Sequence, residues 1–204
     1  MGIQIEDGLG TGVLAAINSE HRLRTLGISG GMSTHVSVDD VEGGVYTVIA
    51  TATIAGAGTY YPFFIINNDP SFLLIPDRIM VEVVGTTGGT AIPNAGDYFS
   101  LLFNTTYTSG GTAFTPTNLN RTSTKVANVT AYYNNPTLGV ASAIESHRWY
   151  SQANGVAFEL IRPETNDIIL GRSNTLAVRY ITATTAGTIL VTIKFMLTTI
   201  DDIP

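Results

Sequence analysis

The run Thr188–Leu197, TILVTIKFML, sends Ile189, Val191, Ile193, Phe195 and Leu197 to one side. Thr188, Leu190, Thr192, Lys194 and Met196 go to the other. An extended strand, whose side chains alternate between two faces, gathers those five apolar residues on one surface; a helix would scatter them. The same two-residue period runs through VYTVIATATI (45–54), RIMVEVV (78–84), DYFSLLF (97–103), VAFELIR (156–162) and TLAVRYI (175–181). YYPFFII (60–66) is apolar on both faces. Its Pro62 has no N–H to give a ladder, which predicts an edge strand or the opening of a strand.

Between the runs lie AGAG, NNDP, GTTGGT, TSGG, NNP, QANG and TTAG, rich in residues that accept positive φ or preset it. Strands separated by turns at this spacing predict an all-β chain, an antiparallel β-sandwich or jelly roll. One segment, SAIESHRWY (142–150), places Ser142 three residues before Glu145. That is a capping box, and it predicts a short helix or a loop turn. Residues 1–44 alternate weakly and contain GLGTG and ISGG. They read as an extended N-terminal arm or peripheral strands, leading into a β domain over 45–204.

Charge narrows the function. Of 204 residues only 13% are charged, about half the usual quarter. Mean hydropathy is +0.23. So few charges cannot clothe the whole surface of a monomer, and neighbouring protein is the expected cover. Ten Lys and Arg, scattered against sixteen acids, give a net charge of −6 and no basic run to neutralise phosphates. Direct nucleic-acid binding is not expected. The chain has no cysteine, which excludes disulfides, thiolate metal sites and thiol nucleophiles. No apolar run reaches 18 residues, so no membrane helix is expected, and the acidic start MGIQIEDG does not read as a secretory signal.

GLGTG (8–12) has glycines spaced to wrap a phosphate. A dinucleotide fingerprint, however, needs G-x-G-x-x-G between a strand and a helix. Here the glycines are spaced G-x-G-x-G after a chain terminus. The following VLAAINSEHRLRTLGIS reads as two short strands around a turn. The glycines are better suited to letting an arm bend and lie close to another backbone. Asp39, Asp40, Glu42, Asp97, Glu145, Glu159 and Glu164 are candidate carboxylates with no spacing that singles out a pair. His21, His35 and His147 are isolated, without metal-ligand spacing. No cofactor, metal or catalytic residue is assigned, and the chain is not expected to be an enzyme. Tyr60, Tyr61, Phe63, Phe64, Tyr132, Tyr133, Trp149 and Tyr150 could stack on sugars or bases, but a sandwich core or interface uses such residues more often.

Three stretches together resemble a group of tailed-bacteriophage virion proteins. IEDGLGTGVLAAINSEHRLRTLGIS (5–29) carries an I-E-D-G-x-G-T-G arm. GGTAFTPTNLNRTSTKVANVTAYYNNPTL (110–138) carries G-G-x-x-x-x-P-x-N-L-N-R. IILGRSNTLAVRYITATTAGTILVTIKFML (168–197) carries L-x-x-x-x-x-L-A-V-R. The resemblance covers about half the chain. It implies a jelly-roll capsid decoration or cement protein on the outer surface of the virion, trimeric, with the major capsid protein as partner. Ile3, Ile5, Leu9, Val13 and Leu14 of the arm would then be the capsid or subunit contacts. A host-adsorption or carbohydrate-binding module, and a tail or neck assembly subunit, stand as the alternatives.

The sparse charge carries a first prediction. Light scattering on the purified 21.7 kDa chain should give a multiple of that mass. A monodisperse monomer at micromolar concentration would contradict it.

Overall fold

The computed structural model describes residues 44–85, 96–119, 123–150, 155–161, 168–183 and 186–199, with two short strands at 16–17 and 23–24. The chain divides into two compact units, Met1–Ser33 and Thr34–Pro204. In the first, β1 (Ala16–Ile17) pairs antiparallel with β2 (Leu23–Arg24), Ala16 opposite Arg24. Gly8, Gly10, Gly12 and the five arm residues Ile3, Ile5, Leu9, Val13 and Leu14 lie outside the described residues, as do His21 and His35.

The second unit is all-β among its described residues. Its long strands are β3 (Gly44–Ile54), β4 (Gly58–Asn67), β5 (Phe72–Gly85), β6 (Tyr98–Phe103), β12 (Ile144–Tyr150), β13 (Phe158–Ile161), β14 (Thr175–Thr182) and β15 (Gly187–Thr199). These eight pair in a nested order. The first, β3, lies against the last, β15, and β4 against β14, while β5 takes β13 and β6 takes β12. Two further pairings, β15 with β5 and β14 with β6, join the ribbons into sheets ordered β13-β5-β15-β3 and β12-β6-β14-β4. An antiparallel ribbon folded back on itself in this way is a jelly roll.

Between β6 and β12 the chain makes a long excursion through β7 (Thr106–Ser109), β8 (Thr112–Phe114), β9 (Thr117–Asn118), β10 (Val129–Tyr133) and β11 (Thr137–Gly139). β10 and then β8 extend one sheet beyond β4, while β9 extends the other beyond β3. The excursion therefore pairs an edge of each sheet, where unpaired backbone groups would otherwise invite another strand. Gly111 turns the chain from β7 into β8 at φ 68°. A Cβ there would stand 2.8 Å from the Tyr133 carbonyl oxygen, so a residue without one is required.

The core fills the space between the sheets. β3 supplies Tyr46, Val48, Ala50 and Ile54, and β15 supplies Ile189, Val191, Ile193, Phe195 and Leu197, as their alternation predicts. From the other sheet come Phe63 and Ile65, Phe99 and Leu101, and Leu176, Val178 and Tyr180. Phe99 joins the layers: its ring lies 4.5 Å from Tyr180 of its own sheet and 5.5 Å from Phe158 of the other. A second cluster, Phe64, Leu102 and Ala177, sits on the outer face of the six-stranded sheet, with Tyr61, Tyr107, Tyr132 and Leu138 packed on it. Tyr107 stacks on Tyr132 at 3.9 Å, so β7 and β11, paired with each other, contribute an outer layer.

Two expectations are corrected. Segment 142–150 is no helix: β12 runs from Ile144 and pairs with β6. A nine-residue helix gains little on its own, and ladder pairing outweighs the local cap. YYPFFII is an interior strand, flanked by β14 and β10. Pro62 is accommodated because β10 pairs only from Phe63 onward and the β14 register shifts between Val178 and Tyr180, opposite the proline.

Phe99→Ala should cost about 3–5 kcal/mol, because the ring bridges both layers and leaves a cavity. Urea denaturation measures this. A loss below about 1 kcal/mol, the value for a surface change, would contradict the two-layer core.

Candidate functional site

Several polar groups among the described residues of the second unit hold the fold. Asp97 is buried and accepts hydrogen bonds from Tyr180 Oη (3.1 Å), Thr182 Oγ1 (3.0 Å) and the Ala183 N–H (3.1 Å). Asn67 donates through Nδ2 to the carbonyls of Phe72 and Leu170, fastening the β4–β5 turn to the segment before β14. Lys194 pairs with Asp77 at 2.7 Å and Arg78 with Glu159 at 3.1 Å. Of the carboxylates singled out in the sequence, Asp97 and Glu159 are thus structural, and Asp39, Asp40, Glu42 and Glu164 lie outside the described residues.

Among the described residues no three His, Asp or Glu converge as a metal would require. Among the described residues, open hollows include one of about 310 Å³ beside Phe103, Ile168 and Asn174, and one of about 280 Å³ beside Pro116, Ser123 and Lys125. The described lining of neither pairs an acid with a base.

Polar chemistry does converge on the outer face of the six-stranded sheet, beyond the cover supplied by Tyr107 and Tyr132. Tyr98 and Ser100 project from β6, Glu145, Arg148 and Tyr150 come from β12, and Arg179 comes from β14. In a regular strand, residues three apart face opposite sides. The β12 register shifts between Glu145 and Arg148, and this bulge brings both to one face. Arg148 then grips Glu145 with two parallel bonds, Nε to Oε1 at 2.9 Å and Nη2 to Oε2 at 3.1 Å. Arg179 reaches the same carboxylate through Nη2 and donates from Nε to Ser100 Oγ at 3.0 Å. Both guanidiniums lie over the Tyr98 ring, at 4.8 Å for Arg148 and 6.0 Å for Arg179.

The paired bonds from Arg148, opposed by partial burial and aided by Arg179, hold the Glu145 carboxyl below its ordinary pKa. Glu145 in turn raises the Arg148 guanidinium. Burial raises the Tyr61 phenol, against a smaller lowering by Arg179.

The sequence-flagged aromatics separate cleanly. Phe63 and Phe64 are buried, and Trp149, Tyr60 and Tyr133 pack against the core. Tyr60 Oη also ties down the turn at Ala55 and Gly56. Tyr61 and Tyr132 pack on the outer cluster. Tyr150 alone of the set is largely exposed, at 57%, with its ring 6.0 Å from Tyr98. Tyr98, Arg148 and Arg179 were not singled out in the sequence. Their signal was an outward position on a strand, which many solvated residues share.

The fold is a jelly roll, with an arginine–tyrosine cluster on the outer face of one sheet. Comparison of the chain with protein-family models, with curated proteins and with solved structures finds no match.

A carboxyl with a lowered folded-state pKa stabilises above its unfolded pKa, and that contribution is lost as pH falls through the folded value. The stability gap between the protein and Glu145→Gln should be open at pH 7 and close as pH falls below about 4. A gap that stays constant down to the acid limit would contradict the ion-pair triad.

Proposed function

We propose that the chain is a virion structural protein that decorates a phage head, binding between capsomers and stabilising the shell. One observation carries the reading. Only 13% of the residues are charged, about half the usual share, which suits a surface covered by neighbouring protein. The exposed Ile49, Val126 and Ile144 are compatible with it, though apolar residues scattered singly are ordinary on any surface.

Of the three stretches that resemble phage virion proteins, the first lies mostly outside the described residues and the other two fall on structural elements. Gly110–Asn118 spans β8 and β9, which pair the edges of the two sheets. Leu170 exchanges backbone hydrogen bonds with Leu74, and Leu176 and Val178 are core. Jelly rolls recur in viral capsids, which is compatible with the reading, although a fold by itself does not define a role. A decoration protein needs contact area and no chemistry. Its binding to the mature shell adds to shell stability by linkage, repeated over many lattice positions. In this reading the partners are the major capsid protein and further copies of the chain, as a trimer.

Shells of the major capsid protein should bind the chain and resist heating several degrees further, and a chain lacking residues 8–12 should bind at lower occupancy. Shells that ignore the full chain would overturn the reading. Full occupancy and full heat resistance with the shortened chain would overturn the role of the arm.

A further inference from the structure

We propose that the face formed by Tyr98, Arg148 and Tyr150 is a binding site for a carboxylate-bearing sugar, as found in acidic surface polysaccharides. The inference stands apart from the proposed decoration role and does not depend on it.

Three features carry it. First, the charges do not cancel. Two guanidiniums share the single carboxylate of Glu145, leaving one surplus positive charge on a chain whose net charge is −6. Second, the two arginines are placed differently. Arg179 has a side chain only 17% exposed, held between Ser100 and Glu145, and acts as a buttress. Arg148 has a side chain 51% exposed. Its bonds to Glu145 use two of the five donors of a guanidinium, which leaves an edge able to take a second carboxylate. Third, the fork is flanked by rings. Tyr98 lies beneath Arg148, and Tyr150, largely exposed, stands beside Tyr98 at 6.0 Å with a 55° tilt.

That combination matches an acidic pyranose. The apolar C–H face of the sugar packs on the exposed Tyr150 ring, and its carboxylate meets the outer edge of Arg148. Ring hydroxyls are then within the province of Glu145, whose oxygens retain acceptor capacity. A structural triad alone would explain Arg179, Ser100 and Glu145. It gives no reason for Arg148 to be fixed over a ring at the surface with an exposed tyrosine at its side. An acidic peptide would satisfy the arginine but makes no use of the tilted ring pair, so the sugar is the favoured ligand.

The test titrates the isotope-labelled full chain with an oligogalacturonide and with sialyllactose, which separate uronic from sialic acids. A neutral galacto-oligosaccharide and an oligo-glutamate peptide serve as competitors. At least one acidic sugar should shift the amides of β12 and β6. Arg148→Gln and Tyr150→Ala should each weaken binding by about tenfold or more, as expected for a lost charge-assisted bond or stacking surface. Thr51→Ala on the opposite sheet should leave binding unchanged. Tyr150→Ala should melt with the parent and Arg148→Gln, which loses its pair with Glu145, somewhat lower. Amide maps of both variants should still show the parent fold, and the shift map of the parent chain locates the site without any variant. Silence with both acidic sugars would overturn the proposal. So would equal binding of the neutral sugar, equal binding of the peptide, or unchanged affinity in both variants.

Discussion

The backbone ladder of β15 is the constraint on which the other elements depend. All thirteen of its residues pair with β5, from Gly187 opposite Gly85 to Thr199 opposite Phe72, and those from Gly187 to Leu197 pair with β3 on the other side. β3 and β15 are separated by well over a hundred residues of chain, so their pairing encloses the strands that lie between. Inside that pair β4 lies against β14, and β5–β13 and β6–β12 complete the nested order. Gly187 marks how tightly the ladder begins. A Cβ there would stand 2.2 Å from the Val84 carbonyl oxygen.

The excursion between β6 and β12 builds on this frame rather than competing with it. Its strands pair one edge of each sheet, and its tyrosines cover Phe64, Leu102 and Ala177 on the outer face. The cover stops short of Ser100 and Arg179. What remains beyond it is the arginine–tyrosine face, on rigid strands of the six-stranded sheet. Placement on paired strands holds a side-chain constellation more closely than loops would. Binding there would use the scaffold's own rigidity, while the exposed apolar residues elsewhere suit contact with other proteins.

Much of this was legible in the residues, and the reasons differ by element. The period of two in Thr188–Leu197 and in 45–54 identified the inner face residue by residue, because burial of one sheet face imposes that period. YYPFFII, apolar on both faces, was read only as an edge strand or a strand opening, yet its outer face packs the second cluster. The short strands β7, β8, β9 and β11 were not legible, since they lie in a Thr-, Gly- and Asn-rich stretch with no apolar alternation to mark a buried face. Segment 142–150 misled because Ser142 and Glu145 form a local signal, whereas the β6 ladder that decides its conformation lies some forty residues away. The site failed for a related reason. Glu145 and Arg148 share a face only through a β-bulge, and Tyr98 and Arg179 join them from separate strands. Register between distant strands carries no local sequence mark.

Native-state hydrogen exchange across the described strands tests the nested frame most directly. The amides of Ile189–Phe195 in β15 and Leu176–Val178 in β14, each flanked by strands on both sides, should exchange last and at a common free energy equal to global unfolding. β7 and β11, which pair only with each other, should open earlier. Exchange of the β15 amides as fast as those of β11 would contradict a fold organised around that strand.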